Sequence, residues 1–245
     1  MKLPIYCISD NHFSIINSEH EISRRNKLFS LFNKIKSTGG TLVIGGDFFD
    51  FWFDYGNNHS LGYQSLFTAL TDLNNKGINI HYILGNHDFW DFGYFLKTFN
   101  ATIYPGDMEA KLYNNEKILI THGDGLLQSD FGYRFMKKII RSKICIFLFN
   151  LLGQKIGNKI ALKISNTSAH YHHHDKHSKA IISEICSNMD KNYDGKYNYI
   201  LVGHYHQVGI YDIKNTKVIF LGDWLDKFTV TKYDGINWSQ DNWNN

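Results

Sequence analysis

Thr41-Leu42-Val43-Ile44-Gly45-Gly46-Asp47-Phe48-Phe49-Asp50 decides the fold: four β-branched or apolar residues stop at two glycines, and two carboxylates follow within six positions. A short apolar run closed by Gly and Asp reads as a buried strand and the turn that ends it. The same arrangement recurs on both sides of this stretch. Ile5 to Ile8 leads into Asp10 and His12, and Ile80 to Leu84 into Asn86, His87 and Asp88. Lys117 to Thr121 leads into His122 and Asp124, and Tyr199 to Val202 into His204 and His206; Val218 to Leu221 reads as a further strand.

Between the strands lie segments with helical spacing, Glu21 to Ser37 and Leu61 to Lys76, with apolar faces built on Ile22, Leu28, Phe29, Phe32, Ile35 and on Leu66, Phe67, Leu70, Leu73. Alternating strands and helices predict an α/β fold. From about Gly132 to Met189 the strands stop and a long, lysine-rich helical stretch replaces them, broken by the polar run Ser165 to His177. That stretch reads as an insertion, dividing the chain into core residues 1–131, a helical cap at 132–189 and a second core part at 190–245. The tail Asn237 to Asn245 carries no clear assignment.

Ligands of α/β sheets gather beyond the carboxyl ends of the strands, so the five sets of donors are expected to converge on one crevice. Carboxylate and amide oxygens with imidazoles suit divalent ions such as Mn, Fe or Zn. Two such ions roughly 3.5–4 Å apart clamp a phosphoryl group and activate a water, and a shared carboxylate is their natural bridge. Asp50, Asp88 and Asp124 are expected to orient donors rather than to be donors themselves.

Composition narrows the classes. The 245 residues are 43% hydrophobic and 20% charged, the balance of an ordinary globular chain. With 26 basic and 23 acidic residues the net charge is only +3, and no basic stripe with interleaved aromatics argues for a nucleic-acid partner. Cys7, Cys145 and Cys186 are widely spaced in apolar runs and read as reduced, buried thiols of a reducing compartment. The N-terminus has no room for a signal-peptide core, which gives the expectation of a cytoplasmic protein. The most apolar segment, Ile144 to Leu152, is far shorter than the roughly 20 residues that cross a bilayer.

Asp-Asn-His at 10–12, Gly-Asp-Phe-Phe-Asp at 46–50, Gly-Asn-His-Asp at 85–88, His-Gly-Asp at 122–124 and Gly-His-Tyr-His at 203–206 resemble the calcineurin-like metallophosphoesterase pattern in order and spacing. The resemblance implies a sandwich of two mixed sheets flanked by helices, with the cap above. It puts Asp10, His12 and His206 on one metal, Asn86, His122 and His204 on a second, and Asp47 between them. The expected ions are two divalent cations, manganese foremost. His87 would stabilise charge or protonate the leaving group beside the phosphate, with Asn86 as the other catalytic residue.

Phe48-Phe49-Asp50-Phe51-Trp52-Phe53, the pair Phe89-Trp90, His122 to Leu126 with Asp130 and Gly132-Tyr133, and Gly222-Asp223-Trp224 are similar to the UDP-2,3-diacylglucosamine diphosphatases of lipid A synthesis. Those enzymes release UMP and 2,3-diacylglucosamine 1-phosphate at the cytoplasmic face of the inner membrane, which implies a lipid-linked UDP-sugar substrate and a peripheral place on that membrane. The resemblance implies substrate contacts from Asn86, His87, His204 and Asp130, and from Lys176 or Lys179. Phe135, Ile139, Ile140, Ile144, Phe147, Leu148 and Leu151 either line an acyl chamber or pack the insertion on the core. Lys137, Lys138, Arg141 and Lys143 suit an anionic surface or a phosphate. Well-known members carry Arg after the metal-binding Asn, whereas this chain carries His87, as general metallophosphoesterases do. A general phosphoesterase acting on a soluble phosphodiester, phosphoprotein or nucleotide therefore stays open, as does, behind it, an inactive scaffold.

Overall fold

The computed structural model describes residues 1–56, 61–169 and 178–244. The parallel strands β1 (Ile5–Ile8), β2 (Thr41–Ile44), β3 (Asn79–Ile83) and β4 (Thr102–Tyr104) form one side of a six-stranded sheet, closed by β10 (Thr229–Tyr233) and β11 (Trp238–Asn242) in the order β11-β10-β1-β2-β3-β4. A second sheet of five strands runs β5-β6-β7-β9-β8, with β5 at Met108–Lys111, β6 at Lys117–Thr121, β7 at Tyr199–Val202, β8 at Val208–Ile213 and β9 at Thr216–Leu221. β6, β7 and β9 are mutually parallel, while β5, β8, β10 and β11 pair antiparallel, so both sheets are mixed as expected.

Alternation along each strand builds three cores. On β1 and β2, Ile5, Cys7 and Val43 face Ile118, Ile120, Leu201 and Ile219 of the second sheet. Tyr6, Ile8, Leu42 and Ile44 point the other way, onto Leu28, Leu31, Phe32 and Ile35 of α1 (Glu19–Thr38) and Leu66, Phe67 and Leu70 of α2 (Gln64–Asn75). Burial on both faces is why these strands read as unbroken apolar runs rather than alternating ones. Leu119, Ile200, Val202, Val218 and Phe220 form the third core with Ile185 and Met189 of α6 (Ser178–Tyr193). α6 begins inside the expected 132–189 insertion and runs past it to Tyr193, packing its buried face on the sandwich, while α4 (Phe131–Ile140) and α5 (Lys143–Ala169) precede it. α5 breaks at Gly153, whose φ of 69° is left-handed.

Four sequence expectations change. Ile22 is exposed on α1, and Glu21, Arg24 and Arg25 are buried in its place. The tail forms β11 against β10, Trp238 opposite Tyr233. Phe135, Ile139, Ile144, Phe147, Leu148 and Leu151 are exposed and do not pack on the core; Ile140 is half-buried. The contact with the core comes instead from Phe149, whose ring lies 5.0 Å from Phe53, 6.0 Å from Phe51 and parallel to Trp90 at 6.4 Å. All three cysteines are free thiols; Cys7 is buried as expected, but Cys145 and Cys186 are only half-buried.

Candidate metal centre

Because β1, β2 and β3 of one sheet and β6, β7 and β9 of the other are parallel within their sheets, the segments that follow them can meet at one edge of the sandwich. They do. Asp10, His12, Asp47, His204 and His206 all have positive φ, between 44° and 64°. Such backbone is disfavoured for residues with a Cβ and collects at functional sites. Gly46, with φ of 103°, is required by contact as well: a Cβ there would sit 2.4 Å from His122 Nδ1.

The buried carboxylate of Asp10 receives the His204 N–H at 2.9 Å and the Ser9 hydroxyl at 2.6 Å, and its Oδ1 lies 3.6 Å from His206 Nε2. Asp47 Oδ2 lies 3.3 Å from His122 Nε2 and 3.7 Å from His12 Nε2, while Asp47 Oδ1 accepts the His87 N–H at 2.8 Å. Donor atoms of Asp10, His12 and His206 fall within 4.8 Å of one another, as do those of Asp47, His122 and His204 and of His12, Asp47 and His87. Asn86 Oδ1 joins the second set, 3.0 Å from His122 Nε2.

His122 tests whether a cation fits. Its Nδ1–H donates to the Gly45 carbonyl at 2.9 Å, so in the neutral ring Nε2 turns a lone pair toward Asn86 Oδ1 and Asp47 Oδ2. Three acceptors face one another, an arrangement that a proton or a metal ion must resolve. Without a metal the proton does so: burial opposes the charge, but Asp47 beside it pushes His122 up to about 10 and is itself held well below the usual carboxylate range. Burial, with the His122 charge, drives His204 down to about 3; burial, with the Asp47 charge, raises Asp10 to about 7. Buried carboxylates and imidazoles whose ionisation conflicts in this way fit divalent cations, which take both as neutral imidazole and carboxylate.

The expected orienting carboxylates divide into distinct roles. Asp88 ties two loops together, accepting the Gly85 N–H at 2.7 Å, the Phe48 N–H at 2.8 Å and the Tyr82 hydroxyl. The Asp50 backbone carbonyl accepts His87 Nδ1–H at 2.6 Å. Asp124 receives Tyr133 Oη at 2.7 Å and Lys137 Nζ at 2.6 Å and lies 3.4 Å from Arg141 Nη2, so its partners come from α4 and the residue that caps its C-terminus. Asp130 accepts from Tyr205 Oη at 2.9 Å and from the Leu127 N–H at 3.2 Å, a link between the loops after β6 and β7. Lys179 is exposed on α6; Lys176 and the histidines 170–177 lie outside the described residues.

Two features escape strand-end reading. Asp223 follows β9 and gathers the N–H groups of Leu225, Asp226 and Lys227 on one oxygen; the other lies 3.9 Å from His206 Nδ1. The Gly-Asp pair after Val218 to Leu221 was its signal. Arg24 donates to the carbonyls of Asn11 and of Trp224 (3.1 Å), clamping the loops of the first and the last of these strands; nothing in the α1 pattern marks it.

Residues 3–208 match the family model of calcineurin-like phosphoesterases. The chain is 30% identical over 236 residues to a Haemophilus influenzae protein named UDP-2,3-diacylglucosamine hydrolase, covering 94% of each. It is 33% identical to the Histophilus somni protein of that name over 75% of this chain and 77% of the relative, and 22% identical to the Porphyromonas gingivalis one over 96% and 95%. Among solved structures, an anchor protein of the Plasmodium inner membrane complex shares the fold with a TM-score of 0.50 and 12% identity, over 98% of this chain and 83% of that one.

Proposed function

Because this chain belongs to the calcineurin-like phosphoesterase family, we propose that it hydrolyses the diphosphate of UDP-2,3-diacylglucosamine to UMP and 2,3-diacylglucosamine 1-phosphate, a step of lipid A synthesis. The observation that carries the proposal is the convergence of five strand-end segments on one buried donor cluster, in a chain similar over nearly its whole length to proteins named for that substrate. In this reading Asp10, His12 and His206 would hold one divalent ion and Asn86, His122 and His204 the other, with Asp47 placed to serve both. Manganese suits these oxygen and imidazole donors, as do iron and zinc. Bound there, the ions supply Lewis-acid polarisation of the phosphoryl group and a water of lowered pKa.

The chain's own groups do the rest. His87 has its Nδ1 committed to the Asp50 carbonyl, which presents Nε2 to the phosphate. Burial opposes its charged form, but Asp47 and the Asp50 carbonyl outweigh that and raise its pKa, so it is suited to carry a proton to the departing phosphate oxygen. Tyr133, whose ring centroid is 6.0 Å from His204, bounds the site on the cap side. Phe51, Phe53, Trp90 and Phe149 form an aromatic wall beside it that suits an acyl chain better than a soluble substrate.

The cap is also the proposed contact with the membrane, on the cytoplasmic face of the inner membrane. Phe135, Ile144, Phe147 and Leu151 are each more than 60% exposed, with the exposed Lys138 and Lys143 among them. An exposed apolar face with basic residues beside it suits an anionic lipid surface. Among the described residues no helix is long and apolar enough to cross a membrane.

Release of UMP from UDP-2,3-diacylglucosamine with added manganese, beside a chelator control and bis-p-nitrophenyl phosphate, tests the proposal. Chelator-sensitive UMP release with little attack on the diester is expected. Diester cleavage without UMP release would favour the general phosphoesterase that His87 leaves open.

A further inference from the structure

Arg141 stands at the junction of cap and metal centre with most of its hydrogen-bonding capacity unspent. Its guanidinium lies 3.7 Å from the Phe89 ring centroid, which fixes its plane. Both of its polar contacts are long, 3.4 Å to Asp124 Oδ2 and 3.4 Å to the Gly85 carbonyl, and both are made by Nη2. The short contact to Asp124 belongs to Lys137, at 2.6 Å. One carboxylate thus faces two cations, and among the described residues no polar partner engages Nη1 or Nε of this planar fork, a shape suited to bidentate anion binding. The Gly85 contact puts this fork against the loop that carries Asn86 and His87; a Cβ on Gly85 would lie 2.1 Å from Asp47 Oδ1. A half-desolvated guanidinium so lightly paired is costly unless an anion completes it.

We infer that Arg141, with Lys137 beside it and Asp124 holding both, is the binding subsite for a second phosphate, the one not held at the metal centre, and so selects diphosphates over simple diesters. The inference rests on the proposed diphosphate substrate, but its test does not depend on the lipid. An incoming phosphate oxygen pair takes Nη1 and Nε, while Asp124 keeps Nη2 and Lys137 in place. The departing group carries no proton from Arg141, which stays charged throughout; its part is to bind and orient.

The experiment compares the manganese-loaded parent with Arg141→Met, Arg141→Lys and Lys137→Met. Two readouts are taken: the ratio of kcat/KM for the lipid-linked UDP-sugar to that for bis-p-nitrophenyl phosphate, and inhibition of diester cleavage by UDP-N-acetylglucosamine against UMP. Arg141→Met is expected to lower the ratio about tenfold or more, through KM, and to weaken inhibition by the soluble UDP-sugar by a similar factor, with much less effect on UMP. Arg141→Lys should recover only part, since an ammonium cannot form the fork. Equal losses on both substrates, or unchanged inhibition by the UDP-sugar, would overturn the inference. If the parent fails to cleave the lipid substrate while inhibition by the UDP-sugar still depends on Arg141, the substrate proposal falls and the diphosphate subsite stands.

Discussion

Arg24→Met removes the clamp beneath the centre without touching a donor of it. Arg24 is 4% exposed and joins three things: the Glu21 carboxylate at 2.7 Å, the Asn11 carbonyl and the Trp224 carbonyl at 3.1 Å. Methionine keeps much of the stem packing but leaves two buried carbonyls unpaired and Glu21 dependent on Arg25 Nε at 2.9 Å. A buried acceptor left unsatisfied costs about 1–3 kcal/mol, and breaking a buried ion pair from one side about 3–5 kcal/mol. Arg25 still compensates Glu21, so the overall loss is expected at about 3–5 kcal/mol, a drop in Tm of roughly 6–20 °C for a chain of this size. The affected loop holds Asp10 and His12 at positive φ, and each such residue stores about 1–3 kcal/mol. Relaxation at one of them would weaken ion binding by about tenfold or more. Urea unfolding of the metal-free protein reads the first effect and manganese titration the second. A variant within about 1 kcal/mol of the parent, with unchanged manganese affinity, would refute the clamp.

Other outcomes follow from the same geometry. Gly46→Ala should displace His122 and abolish chelator-sensitive turnover, because the new methyl group would lie 2.4 Å from Nδ1 on a backbone with φ of 103°; normal turnover would show that His122 is not needed there. In the metal-free protein the folded pKa of Asp10, about 7, lies above its ordinary 3.8, so the folded state binds the extra proton and this group's contribution to stability falls as pH rises from about 4 to 7. Divalent-ion affinity should rise over the upper part of that window with release of protons, from Asp10 and from His122, which calorimetry in buffers of different ionisation enthalpy would detect. Phe147→Glu with Leu151→Glu, at side chains 61% and 67% exposed, should lower cosedimentation with anionic vesicles about tenfold or more while leaving the urea midpoint near that of the parent; undiminished vesicle binding would remove the cap from the membrane contact.

Strands buried on both faces announce themselves, because nearly every residue is apolar or β-branched and the donors follow at once. The runs at residues 5–8, 41–44, 117–121 and 199–202 are strands with those bounds. Two strands that were not legible draw their stability from pairing rather than composition. β8 alternates exposed and half-buried residues at an edge, and β11, Trp238-Ser239-Gln240-Asp241-Asn242, is polar and held by β10. The apolar face of α1 was misjudged for a related reason. Arg24 and Arg25 look like solvated helix charges until Asn11, Ser14, Gly62 and Trp224 bring carbonyls to them, and those partners lie as far as 200 positions away.

The residues that meet in the candidate site were readable from position; what aims them was not, and the distinction is physical. A metal ligand has to be a carboxylate, amide or imidazole, so its type is visible in the sequence. The left-handed backbone that directs Asp10, His12, Asp47, His204 and His206 needs support from outside each loop. That support comes from groups of ordinary type: the Gly46 carbonyl accepting the Asp10 N–H at 3.0 Å, the Asp47 carbonyl accepting the His12 N–H at 2.9 Å, and the Asp10 carboxylate accepting the His204 N–H. Each loop is therefore braced by the next strand's loop, so the donors reach their geometry only once both sheets are packed. Metal affinity should accordingly be lost together with the packing of the two sheets, and a substitution such as Val43→Ala between them, at a side chain that is itself no donor, should weaken ion binding in proportion to the stability it removes.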